Sequence, residues 1–230
     1  MPTRRLVLIA AACAVVALSL LSCSRQEFSL IDTQAVVVVV SDSSDSSSAQ
    51  VAEALSLFVD LGPSISAEDV QFSVSTPGGG LSWDFTPTAV EFDGVRWLGD
   101  ANLSLADGGA IPSGSWSLRI FNRDGRTIET TFQVSSAVVD AARFPVLRFG
   151  VDESGEEKGT LQTHGDDTET WCVELSDQAG ATLFSGEFSQ GSYTAQDIGG
   201  ATIWDEASQL TLYRYIPELH ATLVVRRSLR

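Results

Sequence analysis

The chain has 230 residues, 43% of them hydrophobic, with 14 Lys and Arg against 30 Asp and Glu and a formal charge of −16 at pH 7. That charge repels nucleic acid and anionic lipid and excludes a basic-patch binder of either. The length suits one large domain or two small ones, and three cysteines (Cys13, Cys23 and Cys172) are too few and too scattered for a disulfide framework.

The first stretch is a leader. Arg4 and Arg5 make a positive start, Leu6 to Leu21 is apolar except for Ser19, and small Ser22 precedes Cys23. These are the parts of a secretory signal peptide, and a spanning helix would need about 20 apolar residues. Thr3-Arg4-Arg5 partly matches a twin-arginine signal, but the apolar core favours the general secretory route. Leu20-Leu21-Ser22-Cys23 resembles the lipobox of bacterial lipoproteins. The resemblance implies cleavage before Cys23 and a diacylglyceryl thioether on its sulfur, hence a membrane anchor of two or three acyl chains. One chain binds a membrane only reversibly; two or three, at about 0.8 kcal/mol per buried methylene, hold the protein there. In enteric bacteria an Asp after the lipidated cysteine retains a lipoprotein at the inner membrane. Ser24 stands there in this chain, which by analogy favours the outer membrane. Losing Arg4 and Arg5 with the leader moves the formal charge to −18.

Residues 23–34 read as a lipidated tether. Val36 to Val40 are five consecutive β-branched residues and predict a strand from Ala35 to Val40, buried on both faces. Ser41 to Gln50, SDSSDSSSAQ, predicts a solvated loop. A period of two follows. Leu55, Leu57 and Val59 alternate with Ser56, Phe58 and Asp60, and Val70, Phe72 and Val74 with Gln71, Ser73 and Ser75. Pro77 to Gly80 breaks the chain; Leu81 to Phe85, the Val90–Phe92 and Val95–Trp97 pairs around the Asp93-Gly94 turn, and Leu103 with Leu105 continue it. Trp116, Leu118 and Ile120 lead into the turn Asn122 to Gly125, with Thr127 to Val134 as the return strand. Seven or eight short strands in about 100 residues have the density of an immunoglobulin-like β-sandwich, with Trp116 between the sheets.

Residues 136–143 read as a linker, and 144–230 as a second, smaller antiparallel β region. Phe144 to Phe149 opens it; Trp171, Val173 and Leu175 alternate; Thr182 to Phe188, Leu210 to Tyr213 and Leu219 to Val225 follow; and Arg226 to Arg230 is expected to fray into solvent. WSLRIFNRDGRTI from Trp116 and WCVELSDQAGATL from Trp171 use the same hairpin chemistry twice. The sequence leaves open whether the second region is separate or extends the first. The expected class is all-β, with no helix longer than about three turns.

No residue pattern announces catalysis. His164 and His220 lie far apart without the flanks of a metal or nucleophile motif, and neither a G-x-S-x-G nor a Walker A spelling occurs. Asp152 to Glu169 carries seven carboxylates and one lysine. Asp152, Glu153, Asp166 and Asp167 could contribute oxygen ligands to a hard cation, but the spacing is not that of an EF-hand, and a solvated hairpin guarding a sheet edge is the favoured reading. Trp97, Trp116 and Trp171 fit strand alternation as core residues, whereas Trp83 and Trp204 are the candidates for stacking on a sugar ring. Cys172 reads as a small buried hydrophobe. These readings predict a lipid-anchored, non-enzymatic binding or structural module of the bacterial envelope, without cofactor, acting on a protein partner. The competing reading is a carbohydrate-binding module or carbohydrate-active enzyme.

Overall fold

The structure is a computed structural model that describes residues 28–41, 51–106, 108–135, 139, 144–151, 157–162, 170–189 and 191–229. Fifteen strands and one helix appear among them. The first half supplies β1 (Asp32–Ser41), β2 (Val51–Asp60), β3 (Val70–Ser75), β4 (Ser82–Phe85), β5 (Thr88–Phe92), β6 (Val95–Ser104), β7 (Gly114–Asn122) and β8 (Thr127–Val134). The second half supplies β9 (Val146–Val151), β10 (Glu157–Gln162), β11 (Trp171–Ser176), β12 (Thr182–Phe188), β13 (Gly191–Thr194), α1 (Ala201–Glu206), β14 (Gln209–Ile216) and β15 (Ala221–Ser228). The chain is almost wholly β and its sheets form a sandwich, as the alternating apolar pattern requires.

One sheet unites the two halves. Its eight strands run β12-β11-β14-β15-β1-β2-β6-β5. The seam is a parallel pairing of β1 with β15, Val37 to Ser41 lying beside Ala221 to Val225. On its other side β1 pairs antiparallel with β2 along its full length, from Asp32–Asp60 to Ser41–Val51. The second half therefore extends the sheet begun by the first. A four-stranded sheet, β4-β3-β7-β8, and a three-stranded sheet, β13-β10-β9, complete the fold.

Both smaller layers lie on one side of the large sheet. Over its first half, Leu55, Leu57 and Val59 share the core with Phe72, Leu118 and Ile120 of the four-stranded sheet, all at most 1% exposed. Trp116 is fully buried there, its ring stacked on Trp83 at 5.5 Å and its indole N–H donating to the Pro112 carbonyl at 2.9 Å. Over the second half, Trp171, Val173, Leu175 and Leu212 are buried in one core with Ile198, and Ile203 and Trp204 pack against that core. Phe188 of β12 meets Tyr193 of β13 edge-to-face at 4.7 Å.

Four expectations change. β1 starts at Asp32 rather than Ala35, because Asp32 to Gln34 pair with Phe58 to Asp60. It is also buried on one face only: Val37 and Val39 point into the core, while Val36, Val38 and Val40 are half-buried on a side with no second layer among the described residues. The carboxyl end does not fray at Arg226, since β14 continues as a partner and Arg226 and Ser228 pair with Thr211 and Gln209. The tether's last residues are also docked, with Phe28 and Leu30 packed on the core and the Arg126 guanidinium 5.5 Å over the Phe28 ring. Residues 42–50 and most of 136–143 lie outside the described residues; Val139 packs on the core.

Gly99 fixes the crossing of β2 and β6. The register between them shifts between Leu55 and Leu57, and Phe58 sits opposite Gly99. A Cβ at Gly99 would lie 1.9 Å from the Leu57 carbonyl oxygen and 2.8 Å from the Phe58 ring. Only hydrogen fits, so this glycine is required by contact rather than by backbone angle.

Candidate interaction surface

The large sheet turns one face to its two smaller layers and the other outward. Strand alternation assigns the outward positions: Val36, Val38 and Val40 on β1, Phe58 on β2, Val95 and Trp97 on β6, and Val90 and Phe92 on β5. Trp97, expected in the core, is half-buried here because Leu98 takes the inward position of that strand. Phe92 is 76% and Val90 46% exposed, and all five residues of β5 are exposed. The β5–β6 hairpin turns through Asp93 and Gly94, both at positive φ (51° and 73°), the type I′ geometry that Asp-Gly favours.

In the second half the outward face is more polar. Cys172 lies opposite Tyr213 on β14 and Glu187 on β12, and Glu174 accepts a hydrogen bond from Thr182 Oγ1 at 3.1 Å. Cys172 is a free thiol and only half-buried, because it points outward rather than into the core. Partial burial holds the Tyr213 phenol above its ordinary pKa; the charges of Cys172 and Glu174 push the same way, and a hydrogen bond with Ser185 opposes them. A polar hollow of about 880 Å³ between the β11–β12 turn and the end of α1 is lined by residues including Asp177, Glu206, Ser208 and Arg226.

The outer face of the four-stranded sheet is of a third kind. Ser73, Ser75, Ser117 and Thr131 line a shallow concavity crossed by the Arg119–Glu129 ion pair at 3.1 Å. Both ion-pair partners are more than half exposed, so water and salt leave the pair worth well under about 1 kcal/mol.

The described residues among those singled out from the sequence do not gather into one site. Cys23, Asp152, Glu153, Asp166 and Asp167 lie outside the described residues, as does His164. Trp83 is half-buried, with one ring face covered by Trp116 and its indole N–H donating to the Ser104 carbonyl at 3.2 Å, which ties β4 to the large sheet. Trp204, on α1, is half-buried and packs against the core. His220 occupies a left-handed turn position (φ 47°) before β15. Among the described residues no three His, Cys, Asp or Glu gather as a metal site, and no helix is long and apolar enough to cross a membrane. Sequence reading missed the exposed pair Val90 and Phe92. Their alternation marked a strand, but nothing in it marked the strand as the last of its sheet.

No protein-family model matches the chain, and no curated protein matches it. Among solved structures it is similar to the crystal structure of a tetra-tandem repeat in the extending region of a large adhesion protein. The likeness covers 86% of this chain and 50% of that one, at 15% identity and a TM-score of 0.21. The chain thus spans half the length of that structure, and a likeness so slight transfers no residue's role.

Proposed function

We propose that this chain is a bacterial lipoprotein, cut before Cys23 and held by acyl chains in the cell envelope, where its β body serves as a non-enzymatic binding or structural module for a protein partner. The observation that supports the anchor is the order of Arg4-Arg5, the apolar run to Leu21 and the Leu20-Leu21-Ser22-Cys23 box. Binding through a surface is supported by the outward face of the large sheet, apolar from Val36 to Phe92 and without a second layer among the described residues. Ser24 after the lipidated position favours the outer membrane in a two-membrane cell. The anchor is tested by growing cells with a clickable fatty acid. Wild type should take up label and migrate as the cleaved form, and Cys23→Ala should do neither. Equal label in the two would refute the lipid assignment. Affinity capture of the wild-type protein from detergent-solubilised envelope then tests the binding role: a stoichiometric protein partner supports it, and specific retention of glycan fragments instead refutes it.

A further inference from the structure

We infer that β5 is a self-pairing edge: two copies of this chain join their β5 strands antiparallel about a two-fold axis at Val90, continuing the large sheet from one molecule into the next. The partner named here is a second copy, which gives content to the binding role proposed above without requiring the lipid.

Among the described residues β5 ends the eight-stranded sheet, bonded to β6 on one side only. Exposed edges are normally blunted by lysine, proline, bulges or inward charge. β5 has no lysine, proline or bulge within Thr88–Phe92; its one charge, Glu91, stands on the inward side opposite Arg96, and Val90 and Phe92 face water. The opposite edge, β12, adjoins a register shift at Leu175/Ser176. The edge β8 of the smaller sheet carries Glu129, already paired with Arg119.

Backbone geometry selects the register. The two-residue turn makes Phe92 and Val95 the closing hydrogen-bonded pair, so Val90 and Thr88 also turn their backbone groups toward Trp97 and Gly99 of β6. The groups of Ala89 and Glu91 therefore point away from β6, to the free edge. Centring the two-fold on Val90 sets Ala89 opposite Glu91 of the second copy and Glu91 opposite its Ala89, which satisfies four backbone bonds. Phe92 then lies opposite Thr88 of the other copy, and the two Val90 side chains meet at a non-hydrogen-bonded pair, where side chains approach most closely. Centring on Glu91 would oppose two carboxylates. Centring on Ala89 would put Pro87, which has no N–H, opposite Glu91. In the Val90 register each Glu91 keeps its own Arg96 as cross-strand neighbour, so no like charges meet across the axis.

The buried area sets the strength. An aromatic side chain of about 200 Å² that is 76% exposed leaves roughly 150 Å² in water. Five exposed residues hide roughly 300–400 Å² per copy, against about 1,200 Å² in total for a stable complex. The pair is therefore weak at dilution and forms where copies are concentrated. It is also opposed by two bodies of formal charge −18 once the leader with Arg4 and Arg5 is lost, so salt strengthens it. Pairing of like edges closes on itself and leaves no second β5 to propagate a fibre.

The test is disulfide trapping in the full-length protein in its native membrane. Across the axis, residues 90 of the two copies have Cα atoms about 4.5 Å apart, within the 4.4–6.8 Å span of a disulfide. Residues 88 are offset by four positions, roughly 13 Å, and cannot bridge. With diamide as oxidant, Val90→Cys should give a band of twice the chain's mass on a non-reducing gel, at least tenfold above Thr88→Cys and wild type. Raising salt should increase the yield, and adding Phe92→Lys should suppress it. The cysteines of the wild-type chain are present in every sample and set the background. A thermal melt shared with wild type certifies the fold. Should Val90→Cys not fold, sedimentation equilibrium of wild type against Phe92→Lys in detergent replaces the gel, with concentration-dependent dimer expected only in wild type. Equal trapping at 88 and 90, no dimer by either method, or a crosslink to a protein of different mass would overturn the inference. The lipid label and this gel are independent, so the anchor and the self-pairing can fail separately.

Discussion

Replacing Gly99 with alanine is the sharpest test of the β2–β6 crossing. The new methyl would stand 1.9 Å from the Leu57 carbonyl oxygen, 2.7 Å from the Phe58 Cα and 2.8 Å from its ring. Real carbon–oxygen contacts lie above 3 Å, so the two strands must part by more than an ångström where their register already shifts. Two of the three obstacles are backbone, which cannot swing aside as a side-chain tip can. Overpacking typically costs about 1–3 kcal/mol, and a backbone obstacle places this case at the top of that range or above it. A loss of about 3 kcal/mol lowers a urea midpoint by roughly 1–3 M at the usual slopes. Gly80 is the matched control: it has nothing within 4 Å of a built Cβ and no positive φ. Gly80→Ala should be neutral or stabilising by up to about 1 kcal/mol, through a less free unfolded chain. Adding Phe58→Ala to Gly99→Ala removes the ring obstacle but leaves the carbonyl, so rescue should be partial at most. A midpoint for Gly99→Ala within error of Gly80→Ala would refute the close approach of β2 and β6.

Trp116→Ala should cost about 3–5 kcal/mol by urea titration, the range for truncating a buried aromatic; a midpoint equal to wild type would remove Trp116 from the core. Trp116→Phe leaves the Pro112 carbonyl without its donor, whereas Trp171→Phe deletes a buried indole N–H that has no hydrogen-bond partner among the described residues. Trp171→Phe should therefore be milder by about 1 kcal/mol, and the reverse order would refute that account. Asp197 accepts hydrogen bonds from the Thr194 backbone N–H at 2.8 Å and its hydroxyl at 2.9 Å, which hold its pKa below the ordinary 3.8. Its stabilising effect is thus present above 3.8 and lost as pH falls through the lowered value. Asp197→Asn should melt below wild type near neutrality and approach it as pH falls from 3.8 through the lowered pKa, and a pH-independent difference would refute the role of the charge.

Much of this architecture is written locally. Alternation at Leu55–Val59, Val70–Val74 and Trp116–Ile120 states which residues face a core, because side chains of a strand alternate sides whatever lies beyond. Asp93-Gly94 states a tight hairpin, because both positions need positive φ. The resemblance of Leu20-Leu21-Ser22-Cys23 to a lipobox is likewise linear, so it could be read without a fold. What the sequence could not state is which strands become neighbours across long separations. β1 carries the same valines whether it ends a sheet or joins two halves, and only the packed chain sets Val37 beside Ala221. The same holds for faces. Period two separates Val95 and Trp97 from Arg96 and Leu98, yet whether a second layer covers the tryptophan or the leucine side depends on where the two smaller sheets settle. That choice sums burial over the whole molecule and leaves no mark on five residues. It buried Leu98, turned Trp97, Val90 and Phe92 outward, and left the edge of β5 without a partner strand among the described residues.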